Sequence, residues 1–411
     1  MTPRRGVDSA AALPLLQVSQ HASNPKRRPP QHAVATLGAR RVAKLASACG
    51  AVAALLLLVS LLLCGSARFS TQGTSPAACL QPPAVRDEDK AVIGAAGAAT
   101  ALAAPSFLLL WTTAATAFTL RSRRCLESLL FHHPRATVRI FSNSLPPSAI
   151  APLRAAGYTV SVQGYDAAEL LRGTPAAPWL LRQAEWEKGP YWYSHLTDVL
   201  RLALLWREGG VYVDTDVVLM RPLPWPLPLA MGIESFVLGD PSSPILNGAV
   251  LLVPSRRSPL LWVAMHEFAS TYHPELWGWN GPELLTRVVL RCAGAFSNAP
   301  SGARLTAAGN ESLSHGSGAR SSSGASRVLL LPPEVFYPIH WKDVTAYMGA
   351  EDLARQERMW HRIERRALAV HLWNRKTAAL ALHPRSVLYR VLSAFPVLPL
   401  EGAVAEGAEA L

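Results

Sequence analysis

The stretch SHLTDVLRLALLWREGGVYVDTDVV, residues 194 to 218, constrains the fold of this chain more than any other. Val199, Leu202, Ala203 and Trp206 recur at helical spacing, and Gly209-Gly210 stop the helix. The β-branched and aromatic run VYV that follows reads as a buried strand. A helix feeding a buried strand through a glycine pair is a unit of layered α/β architecture, where ligands collect at the carboxyl ends of strands. That end carries Asp214 and Asp216 here. Strand alternation places Tyr212, Asp214 and Asp216 on one face. Two like charges at an apolar place raise each other's pKa unless a cation lies between them or one carries a proton for chemistry.

The sequence around this unit supports the same class. From Pro105 onward strand and helix signals alternate: FLLLWT, a helix through CLESLLFHH, then ATVRIFSN, a helix beginning near Pro152, then YTVSVQG. Trp111 and Asn143 fall at two strand ends, where each taken alone reads as a packing or turn residue. Asp198 and Arg201 are three apart and share a helix face. Alone they would read as a local surface ion pair, but their helix leads directly into the paired carboxylates.

Charge and hydropathy divide the 411-residue chain before this domain begins. The formal charge of +12 is concentrated at the start, where residues 1–44 hold eight lysines and arginines against one aspartate, a net of +7. That distribution gives no reason to expect a nucleic-acid partner. Residues 45–67, LASACGAVAALLLLVSLLLCGSA, are uncharged and reach the roughly 20 residues needed to span a bilayer as a helix. With the basic flank on the cytosolic side, a single-pass type II anchor is predicted, with the rest of the chain lumenal. Residues 68–104 are predicted as a stem, 105–395 as the catalytic domain, 297–326 as a flexible insertion carrying the sequon at Asn310, and 396–411 as a tail. Cys79, Cys125 and Cys292 would face an oxidising lumen, and no pairing among them is implied.

Hard divalent cations such as Mn2+ and Mg2+ take oxygen ligands and complete their shells with substrate phosphate. A nucleotide-sugar diphosphate matches an Asp-x-Asp strand end for that reason. A rival stands beside it: Asp214-Thr215-Asp216-Val217-Val218 also resembles the opening motif of haloacid-dehalogenase-type phosphatases, whose first aspartate is the nucleophile. That class later needs a lysine and a closely spaced acidic pair, whereas Gly239-Asp240 is followed by Pro-Ser-Ser-Pro, and the Asp198/Arg201 helix would go unexplained.

Four blocks in order carry a more specific resemblance. They are DVLRLALLWREGGVYVDTDVVLMRPL (198–223), NGAVLLV (247–253), WGWNGPELLTRVV (277–289) with LPPEVFYPIHW (331–341), and AVHLWNRK (369–376). Together they resemble glycosyltransferase family 32 and its α1,4-glycosyltransferase branch. The resemblance implies a GT-A-like α/β fold with a mixed, mostly parallel sheet, and sugar transfer with retention from a nucleotide sugar, UDP-galactose favoured, to a glycolipid or glycan in the Golgi. It implies Mn2+ or Mg2+ held by Asp216, Asp214 and His371. Asp198, Arg201, Tyr212, Asp214, Asn247, Gly248 and Trp111 would serve the donor, with Trp373 and Asn374 closing over the leaving group and Arg375 and Lys376 adding positive charge. Asn280 is expected near the anomeric carbon, with Glu283 as an alternative nucleophile. A homo-oligomer is compatible with this class, and a non-catalytic lectin or scaffold is the remaining alternative.

Overall fold

The computed structural model describes residues 105–223, 229–292 and 328–399. The predicted cytosolic tail, membrane span, stem, 297–326 insertion, Asn310 and Cys79 lie outside them. Among the described residues no helix is long and apolar enough to cross a membrane.

The chain runs β1 (Ser106–Leu110), α1 (Leu120–His132), β2 (Thr137–Phe141), β3 (Thr159–Gln163), α2 (Trp192–Glu208), β4 (Gly210–Val213), β5 (Val217–Leu219), β6 (Ala230–Phe236), β7 (Pro244–Val253), α3 (Pro259–Ser270), α4 (Pro282–Cys292), β8 (Leu329–Leu331), α5 (Leu353–Arg366), β9 (Ala369–His371) and α6 (Val387–Ser393). Short helical turns fill several connections, including the one predicted near Pro152, which spans only Ala151–Ala155. The main sheet has the order β3-β2-β1-β4-β7-β6-β8. Pairs β1–β2, β2–β3, β1–β4 and β6–β8 are parallel, while β7 runs antiparallel to β4 and β6. The predicted mixed, mostly parallel sheet is present.

β1 is apolar at four consecutive positions because both of its faces are covered. Phe107 and Leu109 pack with Leu126, Leu129 and Leu130 of α1. Leu108 and Leu110 pack with α2 and α3 on the other side. Helix α2 is itself covered by α3, so residues all around it are buried, Leu200, Leu204 and Leu205 included. The side chains of Asp198 and Arg201 are only 13% and 11% exposed, so theirs is an enclosed ion pair rather than a surface one.

One strand expectation needs correcting. β4 ends at Val213, and Asp214–Asp216 form a turn instead of continuing the alternation. The Asp214 N–H still bonds Ala249 O (2.8 Å), the last rung shared with β7, and Val217 N–H then bonds back to Asp214 O (3.2 Å). Beyond the turn β5 leaves the main sheet and pairs antiparallel with β9, setting Val217 opposite His371. Ser128 of α1 anchors this branch by accepting from Leu219 N–H (2.9 Å). Past the predicted boundary at residue 395, Val397 N–H still donates to Glu127 of α1 (3.2 Å).

Candidate active site

The turn after β4 and the end of β9 bring three ligating side chains together. Oxygens of Asp214 and Asp216 and a ring nitrogen of His371 all lie within 4.8 Å of one another. His371 Nε2 is 3.1 Å from Asp216 Oδ1, and the Asn374 N–H donates to Asp216 Oδ2 (2.8 Å). Burial would push the Asp216 carboxyl up, but the His371 charge and hydrogen bond with the Asn374 amide outweigh it and hold the carboxyl below its ordinary range. Burial likewise disfavours the His371 imidazolium, and Asp216 more than offsets it, raising the ring.

A second chain of contacts runs from α2 to the same carboxylates. Arg201 lies 3.2 Å from Asp198 Oδ1 and 3.6 Å from Asp214 Oδ1, and Tyr212 OH donates to Asp214 Oδ1 (2.7 Å). The guanidinium also sits 4.9 Å from the Tyr212 ring centroid. Burial disfavours charge on both Asp198 and Arg201, yet their outcomes differ. Arg201 faces two carboxylates and is held above its ordinary value. Asp198 shares one guanidinium with Asp214, so burial wins and its carboxyl rises to about 7.

Two glycines set the space around this pair. A Cβ on Gly281 would lie 2.6 Å from Asp198 Oδ2, and one on Gly248 would lie 2.9 Å from Arg201 Nη1. Gly248 therefore leaves room for the Arg201 guanidinium, and Gly281, which sequence reasoning passed over, leaves room for the Asp198 carboxylate.

Other expected residues hold the walls. Asn247 is buried and fully engaged: its Nδ2 donates to Glu234 (2.7 Å), its Oδ1 accepts from Ala249 N–H (2.8 Å), and Tyr337 OH reaches its carbonyl (3.3 Å). Asn280 is 1% exposed and similarly committed. Its Oδ1 accepts from His273 N–H (3.0 Å), and its Nδ2 donates to His273 O (2.7 Å) and lies 3.2 Å from the ring nitrogens of His195. Both polar atoms of the Asn280 side chain thus have partners within the protein and brace the 273–280 loop. Glu283 is exposed on the first turn of α4, beside Gly278. Asn143 secures a turn through both backbone polar groups of Tyr165.

Trp111 is buried just past the end of β1, its ring nearly perpendicular to that of Phe118 with centroids 5.2 Å apart. Trp373 adopts a left-handed backbone (φ 54°), donates Nε1–H to Ile339 O (2.9 Å) and lies 4.0 Å from His371 between ring centroids. This conformation turns the chain so that Asn374 N–H meets Asp216. Behind that turn, buried Arg121 of α1 donates to Thr377 O (3.2 Å) and Thr377 Oγ1 (2.9 Å). Arg121 was not anticipated; the sequence signal was a basic residue sharing the inner helix face with Cys125 and Ser128 at i, i+4 and i+7.

The donor set suits a hard divalent cation, with two carboxylates and an imidazole. Buried Nδ1 of His371 and Oδ1 of Asn374 have no hydrogen-bond partner among the described residues. Such orphaned polar atoms are costly unless something binds them. Asp214, Asp216 and His371 therefore fit an ion.

Comparison with known proteins gives matches over two successive stretches of the chain. Residues 120–235 match the family model of the glycosyltransferase sugar-binding region containing a DXD motif, and residues 254–395 match the alpha 1,4-glycosyltransferase conserved region. Lactosylceramide 4-alpha-galactosyltransferase of Homo sapiens is 33% identical over 260 residues, covering 61% of this chain and 64% of that protein. The Pongo pygmaeus protein of the same name is 36% identical over 213 residues, 52% of this chain and 81% of its own. Alpha-1,4-N-acetylglucosaminyltransferase of Homo sapiens is 28% identical over 210 residues, 51% of each chain. Among solved structures, galactosyltransferase LgtC in complex with donor and acceptor sugar analogs aligns at TM-score 0.35 and 14% identity, over 72% of this chain and 98% of that one.

Proposed function

Since the chain belongs to the α1,4-glycosyltransferase family with a DXD-containing sugar-binding region, we propose that it transfers a hexose, with retention, from a nucleotide sugar to a glycan or glycolipid on a GT-A-like scaffold. The observation that carries this is the convergence of Asp214, Asp216 and His371 beside the enclosed Asp198–Arg201 pair. UDP-galactose is the favoured donor and UDP-N-acetylglucosamine the next, in keeping with the names of the similar proteins. The uncharged 45–67 segment and its basic flank support a Golgi membrane enzyme with a lumenal catalytic domain.

A Mn2+ or Mg2+ ion held by Asp214, Asp216 and His371 would neutralise charge on the departing diphosphate. The chain's own groups supply positioning. Asp198 accepts from, and Arg201 donates to, sugar hydroxyls; Tyr212 fixes Asp214; Trp373 and the Asn374 turn shield the leaving-group side from water. The acceptor oxygen bonds to the anomeric carbon as the bond to the diphosphate breaks on the same face, and the acceptor proton passes to the departing phosphate oxygen. Glu283, the alternative covalent nucleophile, is exposed on the first turn of α4, and the buried Glu234 accepts from Asn247 Nδ2. The phosphatase alternative gains nothing here: the groups around Asp214 are Tyr212, Arg201, Asp216 and His371.

The test is turnover of UDP-galactose, UDP-N-acetylglucosamine, UDP-glucose and GDP-mannose by the purified full chain, with Mn2+ or with EDTA. Metal-dependent consumption of one donor is expected. Absence of turnover and of binding for all four would overturn the reading and favour a lectin or scaffold.

A further inference from the structure

The three segments that build the site meet again on its rim. Arg375 is exposed and follows Asn374, whose amide holds Asp216. Its guanidinium carbon lies 5.0 Å from the ring centroid of Tyr191 and 5.2 Å from that of Trp277. Tyr191 is the N-cap of α2, the helix of Asp198 and Arg201. Trp277 lies four residues before Gly281, which packs on the Asp198 carboxylate. One cation and two rings thus tie the metal-side turn, the donor helix and the 273–281 loop together at one place.

Arg375 and Trp277 reach solvent, and Tyr191 is half-buried. Trp277 is 43% exposed, its neighbour Leu276 45%, and Tyr193, two residues past Tyr191, 63%. Apolar surface left in water around a site marks a place where something binds. What the cluster offers is specific: flat aromatic faces with a planar fork of N–H donors between them. A pyranose answers both features, since one face of its ring is a patch of C–H bonds and its edge carries hydroxyl acceptors. Arg375, Tyr191 and Trp277 all lie outside the Asp214–Asp216–His371 cluster: Arg375 follows His371 closely in the chain, Tyr191 begins the helix that carries Asp198 and Arg201, and Trp277 precedes the Gly281 that packs on Asp198. A group transferred from the donor must be received by a molecule held beside it, not on top of it.

We propose that Tyr191, Trp277 and Arg375 form the acceptor platform, stacking a hexopyranose of the acceptor glycan while the guanidinium binds its hydroxyls. This rests on the transferase reading above and names the residues that take its second substrate.

The experiment is saturation-transfer NMR on the full chain with lactose and methyl β-galactoside as probes, UDP and Mn2+ present, for wild type, Trp277→Ala, Trp277→Phe and Arg375→Ala, alongside donor KM values. Wild type transfers saturation to protons of the apolar sugar face. Trp277→Ala weakens saccharide binding about three- to tenfold, the range of one aromatic stack, and Trp277→Phe restores most of it. Donor KM moves less than about twofold. The proposal is overturned if wild type transfers to neither saccharide, if Trp277→Ala binds them like wild type, or if UDP alone rather than sugar is lost with Trp277. Failure of the transferase reading is seen separately, as wild type that turns over no donor with Mn2+.

Discussion

Gly281 lies against the carboxylate of Asp198 so closely that a Cβ there would sit 2.6 Å from Oδ2 and 2.8 Å from Oδ1. The glycine immediately precedes α4, and its place is held by Asn280, whose side-chain amide is bound to His273 and His195. Through this contact a loop that holds no ligating residue fixes the orientation of the acid nearest Arg201.

Gly281→Ala is accordingly expected to displace Asp198 and raise donor KM about tenfold, the loss of one charge-assisted hydrogen bond. Mn2+ affinity should stay close to wild type, because Asp214, Asp216 and His371 are untouched. Donor kinetics together with a Mn2+ titration read both. An unchanged donor KM would show that Asp198 does not serve the sugar.

Asp216→Asn removes the carboxylate that both His371 and the Asn374 amide address. Loss of a metal ligand costs several kcal/mol of charge stabilisation, so turnover should fall at least about a hundredfold. Isothermal titration with Mn2+ should show weakened binding in parallel. Full metal-dependent turnover by the variant would remove Asp216 from the centre.

Arg121→Lys tests the support behind the Asn374 turn. A lysine cannot reach both Thr377 O and Oγ1 as the guanidinium does. The expected cost is about 1–3 kcal/mol of stability, read by denaturant unfolding, with looser Mn2+ binding because the turn carrying Asn374 relaxes. Unaltered stability would mean that Arg121 is not holding the turn.

Asn280→Asp separates structure from chemistry at a position expected to touch the sugar. The variant keeps the acceptor for His273 N–H but loses the donor to His273 O and His195, and buries a charge. Stability should drop by about 2–4 kcal/mol, while kcat per folded molecule falls less than about tenfold. A thousandfold loss of kcat with unchanged stability would return Asn280 to the anomeric centre.

Asp198 gives the fold a pH signature. Burial lifts its carboxyl to about 7 in the native state, so between the ordinary carboxylate range and that value the native chain holds a proton that the unfolded chain has lost. Stability then falls as pH rises through this window, and the cost is fully present above it. Asp198→Asn should flatten that slope. Thermal unfolding of both proteins at pH 5 and pH 8 checks this: a slope equally steep in the variant would assign it elsewhere.

Much of the architecture can be read from local pattern. The apolar run of β1, the helix at Asp198 and Arg201, the glycine stop and the apolar strand before Asp214 were legible because periodicity and turn chemistry are local. The convergence of Asp214, Asp216 and His371 was legible only through the family resemblance, since 155 residues separate Asp216 from His371. Tertiary structure alone decided the rest. The paired aspartates lie in a turn, not on one strand face, because β5 abandons the main sheet to pair with β9. Asn280 became a loop brace because its partners, His195 and His273, come from a helix and a loop that meet only in the fold. The approach of Gly281 to Asp198, and of Arg121 to Thr377, leaves no periodic trace: a contact between distant segments depends on how helices seat on the sheet, which no local pattern encodes.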